Sequence, residues 1–253
     1  MLAQELIADI ATQYRVSPTL VLYEVDKALQ TDAFKQAIGY NYGCVTEDGI
    51  QLHRIGGTVM LPQLKRSLCR MLKHHVLEAL NFQSALNEYE YWRHIQHKTV
   101  IGHVERKEQN GTLVIALGKD SFGYTENTIY ARCHLCDLPP KERNSCRPGE
   151  SKIFYASKVA IKKSPNGVYM VDISLSRTIK RLPEILLRQK LEDCLKRDIK
   201  VRVKKRHCGE LTIIETSASI PSRFITELTS ELNERIRIEI TSDRKKSRRK
   251  TTR

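Results

Sequence analysis

The stretch from Thr99 to Thr178 constrains the fold most. It carries five short β-prone runs, Thr99–Lys107, Thr112–Leu117, Thr128–Leu135, Ser151–Lys162 and Gly167–Leu175. Turn-forming segments separate them: Gln109-Asn110-Gly111, Gly118-Lys119-Asp120, Arg147-Pro148-Gly149 and Ser164-Pro165-Asn166-Gly167. Gly, Asn and Asp tolerate the left-handed backbone that tight turns require, and Pro presets the first turn angle. The pattern predicts a small five-stranded barrel.

A barrel of this size is expected to be of the OB type, which often offers one face to single-stranded nucleic acid. RNA binding is therefore the first expectation. Charge points the same way. Residues 1–97 hold 9 Lys/Arg and 10 Asp/Glu, whereas residues 98–253 hold 34 and 19. The excess cations all lie beyond the first third, where they can steer and bind a phosphate backbone. The near-neutral first third suits a protein contact better.

No apolar run is long enough to cross a bilayer, and the first residues lack a signal-peptide pattern, so a cytoplasmic protein is expected. Seven scattered cysteines then read as free thiols. Residues 1–97 look mainly helical. Ser17-Pro18 forms an N-cap and first-turn pair, Gly39 supplies a stop, Cys44–Arg54 reads as a hairpin, and a long helix is expected from Pro62 to about Gln96. After the barrel come a helix at Pro183–Lys196, strands at Ile199–Lys205 and Glu210–Thr216, a helix from Pro221 to about Asn233, and a strand at Arg235–Ile240. The last twelve residues hold seven Lys/Arg and one Asp, and are expected to form a disordered basic tail.

Asp172-Ile173-Ser174-Leu175-Ser176-Arg177-Thr178, followed by Leu182-Pro183-Glu184-Ile185, resembles the end of the barrel and the linking helix of the bacterial transcription factor family NusA. Ile101-Gly102-His103-Val104, Val114–Gly118, Arg147-Pro148-Gly149-Glu150 and Glu234-Arg235-Ile236-Arg237-Ile238 extend the resemblance. It implies an N-terminal domain, an OB barrel of the ribosomal-protein S-one type and a KH-like module. In the expected Gly-x-x-Gly region the sequence reads Ser217-Ala218-Ser219-Ile220-Pro221-Ser222-Arg223, with no glycine and no room for a preceding helix. The KH-like module is thus expected to be shortened. The family continues into a second KH module, and none is expected within residues 1–253.

Candidate RNA contacts are Lys107, Phe122, Tyr124, Arg132, His134, Lys162, Lys163, Arg177 and Lys180 on and around the barrel, with Lys200, Arg202, Lys204 and Arg223 beyond it. Aromatic rings can stack on bases, and Lys and Arg can hold phosphates. Lys200, Arg202 and Lys204 alternate with apolar residues, so they are expected to share one face of a strand. Cys133-His134-Leu135-Cys136 with Cys146 invites a zinc site, but a closed site needs four ligands and no second Cys-x-x-Cys is present, so no metal and no cofactor are expected. No phosphate-cradling loop, His-Glu-x-x-His or Gly-x-Ser-x-Gly occurs, so no enzyme is expected.

The sequence therefore reads as an α+β multi-domain chain: a NusA-like domain at 1–97, an OB barrel at 98–180, a degenerate KH-like module at 181–241 and a basic tail at 242–253. The expected partners, by the resemblance, are nascent single-stranded RNA and RNA polymerase, the latter through residues 1–97. The expected role is control of pausing, termination or antitermination. The alternative is a general RNA-binding protein of translation or RNA turnover.

Overall fold

A computed structural model describes residues 3–46, 48–61, 65–120, 123–195 and 199–241, with backbone alone at 33, 37, 119–120, 123–127 and 194–195. It is a mixed α+β structure dividing into two compact units, residues 1–88 with 161–171, and residues 89–160 with 172–253.

In the first unit, α1 (Ala3–Tyr14) and α2 (Pro18–Leu29) precede a short α3 (Asp32–Ile38). The Ser17 hydroxyl accepts from the Leu20 amide at 3.2 Å, satisfying one orphan donor at the start of α2. The single helix expected up to Gly39 breaks at Gln30, and Thr31 begins α3. Gly39 ends α3 in the left-handed region. Strands β1 (Tyr42–Thr46), β2 (Gly49–Arg54) and β3 (Gly57–Leu61) form an antiparallel meander. The long helix α4 spans Arg66–Trp92 and buries Leu68, Leu72, Val76 and Leu80 against the core of α1, α2 and the meander. Those positions repeat every four residues and so share one stripe of the helix.

The second unit holds most of the barrel. Its strands are β4 (Thr99–Lys107), β5 (Leu113–Asp120), β6 (Gly123–Cys133), β7 (Ser151–Lys163) and β8 (Tyr169–Ser176). They close in the order β4-β5-β6-β8-β7, with β6 and β8 parallel. Val104, Leu113, Ile115, Leu117, Ala131, Cys133, Phe154 and Ile173 fill the interior. Gly102 allows β4 to pack tightly: a Cβ there would lie 2.3 Å from the Ile115 Cγ2.

The remainder runs α5 (Leu182–Leu195), β9 (Val201–His207), β10 (Leu211–Thr216), α6 (Ser222–Leu232) and β11 (Arg235–Ile240). Its sheet has the order β11-β10-β9, with β9 antiparallel and β11 parallel to β10. Both helices bury their apolar residues against Val201, Val203 and Ile214.

Strand β9 is not a plain alternation. Val203 pairs with Ile214 and Lys205 with Ile213, so Lys204 is the extra residue of a β-bulge. The bulge shifts the phase: Lys205 faces out and Arg206 faces in. Sequence alternation alone assigns these two residues the opposite faces.

Candidate nucleic-acid interface

The outer face of β4–β6 is set by strand register. Inward residues Ile115 and Ala131 pair across the sheet, so their neighbours project outward. One outward row is His103–Ala116–Tyr130, and the next is Arg106–Val114–Arg132–Ser174. Tyr130 is 50% exposed. Two residues along the same strand, exposed Arg132 lies 3.7 Å from the buried Asp172 carboxylate. Tyr130 stands at the end of the first row beside Arg132, with His103 and Arg106 two strands away across the buried Ala116 and Val114. Its ring can stack on a base while the cations meet phosphates.

Among the other expected contacts, Lys107 is exposed, and its Nζ donates to the Arg143 carbonyl at 2.6 Å. His134 is exposed beyond the end of β6, with its Nδ1 3.3 Å from the Thr112 hydroxyl. Phe122 lies outside the described residues. Tyr124 stands opposite Lys119 in the β5–β6 ladder, and its side chain also lies outside the described residues. Lys162 and Lys163 end β7 in the segment that belongs to the first unit. There the Lys163 ammonium pairs with Glu78 and sits 5.3 Å from the Tyr169 ring centre. Arg223 is exposed on α6, with its guanidinium 4.6 Å from the ring centre of Phe224.

Arg177 must be removed from the expected RNA contacts. Its side chain is fully buried, and all five of its N–H donors are taken. Nε and Nη2 hold the two Glu142 carboxylate oxygens at 2.7 and 2.9 Å. Nη1 donates to the Ile153 carbonyl and, at 3.0 Å, to the Glu231 carboxylate, while Nη2 also reaches the Glu231 carbonyl at 2.7 Å. Burial alone would lower the guanidinium pKa, but the bonds and charges of Glu142 and Glu231 overcome it and raise the pKa. Arg177 therefore ties the end of β8 to a barrel loop and to α6. A second buried pair lies beside it. Arg206 Nε bonds Glu234 at 3.0 Å, and its Nη2 bonds the Arg177 carbonyl at 2.9 Å. Glu234 also accepts from the Gly209 amide and the Thr212 hydroxyl.

Lys180 and Arg202 do come together. With Arg181, Glu184, Val201 and Val203 they line a surface cleft of about 560 Å³ beside the edge strand β9. Glu184 is engaged within the protein, accepting from the Val203 amide at 3.3 Å and from Arg188 at 3.2 Å. Lys200 is exposed immediately before β9, where its backbone exchanges hydrogen bonds with Ser217. Lys204 faces solvent but contacts Glu239 at 2.8 Å and Glu215 at 3.4 Å. Its pKa is raised, chiefly by the bond to Glu239.

The Cys-x-x-Cys segment diverges locally. Cys133 is buried in the barrel, and burial pushes its thiol pKa up, while Cys136 is exposed in the following turn. Sequence reading missed His103, Arg106, Tyr130 and Arg181. Tyr130 could have been found by pairing the Thr112–Leu117 and Thr128–Leu135 runs and asking which alternate residues face outward. No protein-family model matches the chain, and a search of curated proteins finds no match.

Proposed function

We propose that this chain is a non-enzymatic RNA-binding protein of the NusA type, acting in bacterial transcription. The observation that carries the reading is the outer face of β4–β6, where exposed Tyr130 stands beside Arg132, with His103 and Arg106 two strands away. In OB-type barrels the face of the second and third strands is a common oligonucleotide surface. Two further features support the reading. The strand order, first-second-third-fifth-fourth, agrees with an OB barrel. The helix-strand-strand-helix-strand order after it agrees with a KH-like module whose last two strands are joined by one helix instead of two.

In this reading residues 98–180 form the RNA-binding barrel, residues 181–241 a degenerate KH-like module, and residues 242–253 a basic tail. Residues 1–97 dock on RNA polymerase. The mechanism is tethering: a protein-bound anchor raises the local concentration of weak RNA contacts.

The test is fluorescence anisotropy with labelled single-stranded RNA, together with co-purification of the full chain with core RNA polymerase. Tyr130→Ala is expected to weaken RNA binding roughly tenfold while leaving its salt dependence unchanged, as loss of one stacked base would. An unchanged affinity would remove the barrel face from the reading. RNA binding without polymerase retention would favour the role in translation or RNA turnover.

A further inference from the structure

The open face of the β9–β11 sheet has an unequal distribution of charge and apolar surface. Register sets three outward rows: Arg202–Glu215–Glu239, Lys205–Ile213–Arg237 and His207–Leu211–Arg235. Lys204, the bulged residue, contacts the acids of the first row. That row is largely neutralised within the protein.

The other two rows differ. Their central residues, Leu211 and Ile213, are half-buried aliphatics on β10. On either side stand exposed basic residues, Lys205 and His207 on β9, Arg235 and Arg237 on β11. Among the described residues, no carboxylate forms an ion pair with Lys205, His207 or Arg235, and Arg237 approaches Glu239 only at 3.7 Å. Adjacent strands lie about 4.8 Å apart, so the two basic margins flank an aliphatic floor about 10 Å wide.

We propose that this open sheet face binds the sugar–phosphate backbone of single-stranded RNA, with the chain running along β10. The ribose and base edges rest on Leu211 and Ile213, and the phosphates meet Lys205, Arg235 and Arg237. The proposal rests on the RNA-binding reading and adds to it a second surface, separate from the barrel. Charge complementarity favours a polyanion. The apolar floor between the cations suits a strand with exposed sugars and bases better than an acidic peptide, which would leave the floor bare. Backbone contacts of this kind position RNA without reading its sequence. The bulge is what makes the surface possible, because it turns Lys205 outward while Arg206 remains buried.

The test uses the full chain and a fluorescein-labelled U-rich 15-mer, with affinity measured across a series of salt concentrations. The triple variant Lys205→Gln/Arg235→Gln/Arg237→Gln is expected to bind at least tenfold more weakly. Its log K against log salt slope should fall by about 2, since each neutralised single-strand phosphate accounts for about 0.7. The charge-preserving Lys205→Arg/Arg235→Lys/Arg237→Lys variant should bind within threefold of the original, and matched thermal melts should show that both fold. An unchanged slope in the glutamine variant, with binding still lost on Tyr130→Ala, would overturn this proposal and leave the barrel reading standing. No RNA binding by the unmodified chain would overturn both. Equal competition by poly-glutamate and poly-U would assign the face to acidic proteins instead.

Discussion

Arg177 shows how far a residue's environment can depart from its residue type. An arginine in a basic chain reads as a phosphate ligand, yet here the guanidinium is enclosed by Glu142, Glu231 and two carbonyls. Removing one member of such a pair strands the other charge in a dry site. Arg177→Met is therefore expected to cost about 3–5 kcal/mol in a urea titration. Adding Glu142→Leu should recover at least half of that loss, because the orphaned carboxylate is removed along with its partner. A double variant no more stable than the single one would show that Glu142 is not the charge left uncompensated. Glu78 is a milder case. Its hydrogen bond from Lys163 lowers its pKa below the usual 4.5, so the folded state releases this proton more readily than the unfolded chain. The pair's contribution is present above about pH 4.5 and fades as pH falls through the lowered value. Glu78→Gln should then melt slightly below the original protein at pH 7, and the gap should close as pH falls below the lowered pKa. A gap independent of pH would assign the effect to packing.

Strands and helices followed from the sequence more closely than side-chain roles did. Thr99–Lys107 and Arg235–Ile240 match β4 and β11 residue for residue, with Asn110-Gly111 following the first and Asn233 preceding the second. The element order after the barrel was also legible, since each helix carries its own apolar stripe. The phase of β9 was not. Alternation predicts Lys204 out, Lys205 in and Arg206 out, but the pull of buried Glu234 on Arg206 prevails, and a bulge absorbs the mismatch. Such a partner, 28 residues away in sequence, leaves no local signature. Deleting one lysine of the Lys204-Lys205 pair should regularise the ladder and keep Arg206 inward, with a fall in Tm of no more than about 4 °C. Deleting Arg202 instead should turn Val201 out of the core and cost at least about 2 kcal/mol. Circular dichroism melts of the two deletions separate these outcomes. Equal losses would mean the bulge is required for stability. Tyr130 escaped notice for a related reason: its exposure depends on pairing with β5, and a lone tyrosine in a β-prone run reads equally well as core.

Within the second unit, buried Arg177 and Arg206 link the barrel to the sheet module that follows it, Arg177 through half-buried Glu231 and Arg206 through the Arg177 carbonyl. Two domains joined by a tether would open independently. Here, opening either half breaks the bonds from Arg177 to Glu231 and from Arg206 to the Arg177 and Ile179 carbonyls. Hydrogen exchange should therefore report the same opening free energy for the slowest amides of β5 and β10, and Arg177→Met should split the two values by at least about 2 kcal/mol. Amides that already exchange at separate levels in the original protein would contradict this coupling. The same buried contacts limit how the chain can be rearranged over evolutionary time. A barrel whose final strand runs directly into Arg177 cannot be transplanted to another protein by itself. It must take the helix bearing Glu231 with it, or first exchange its buried charges for apolar side chains.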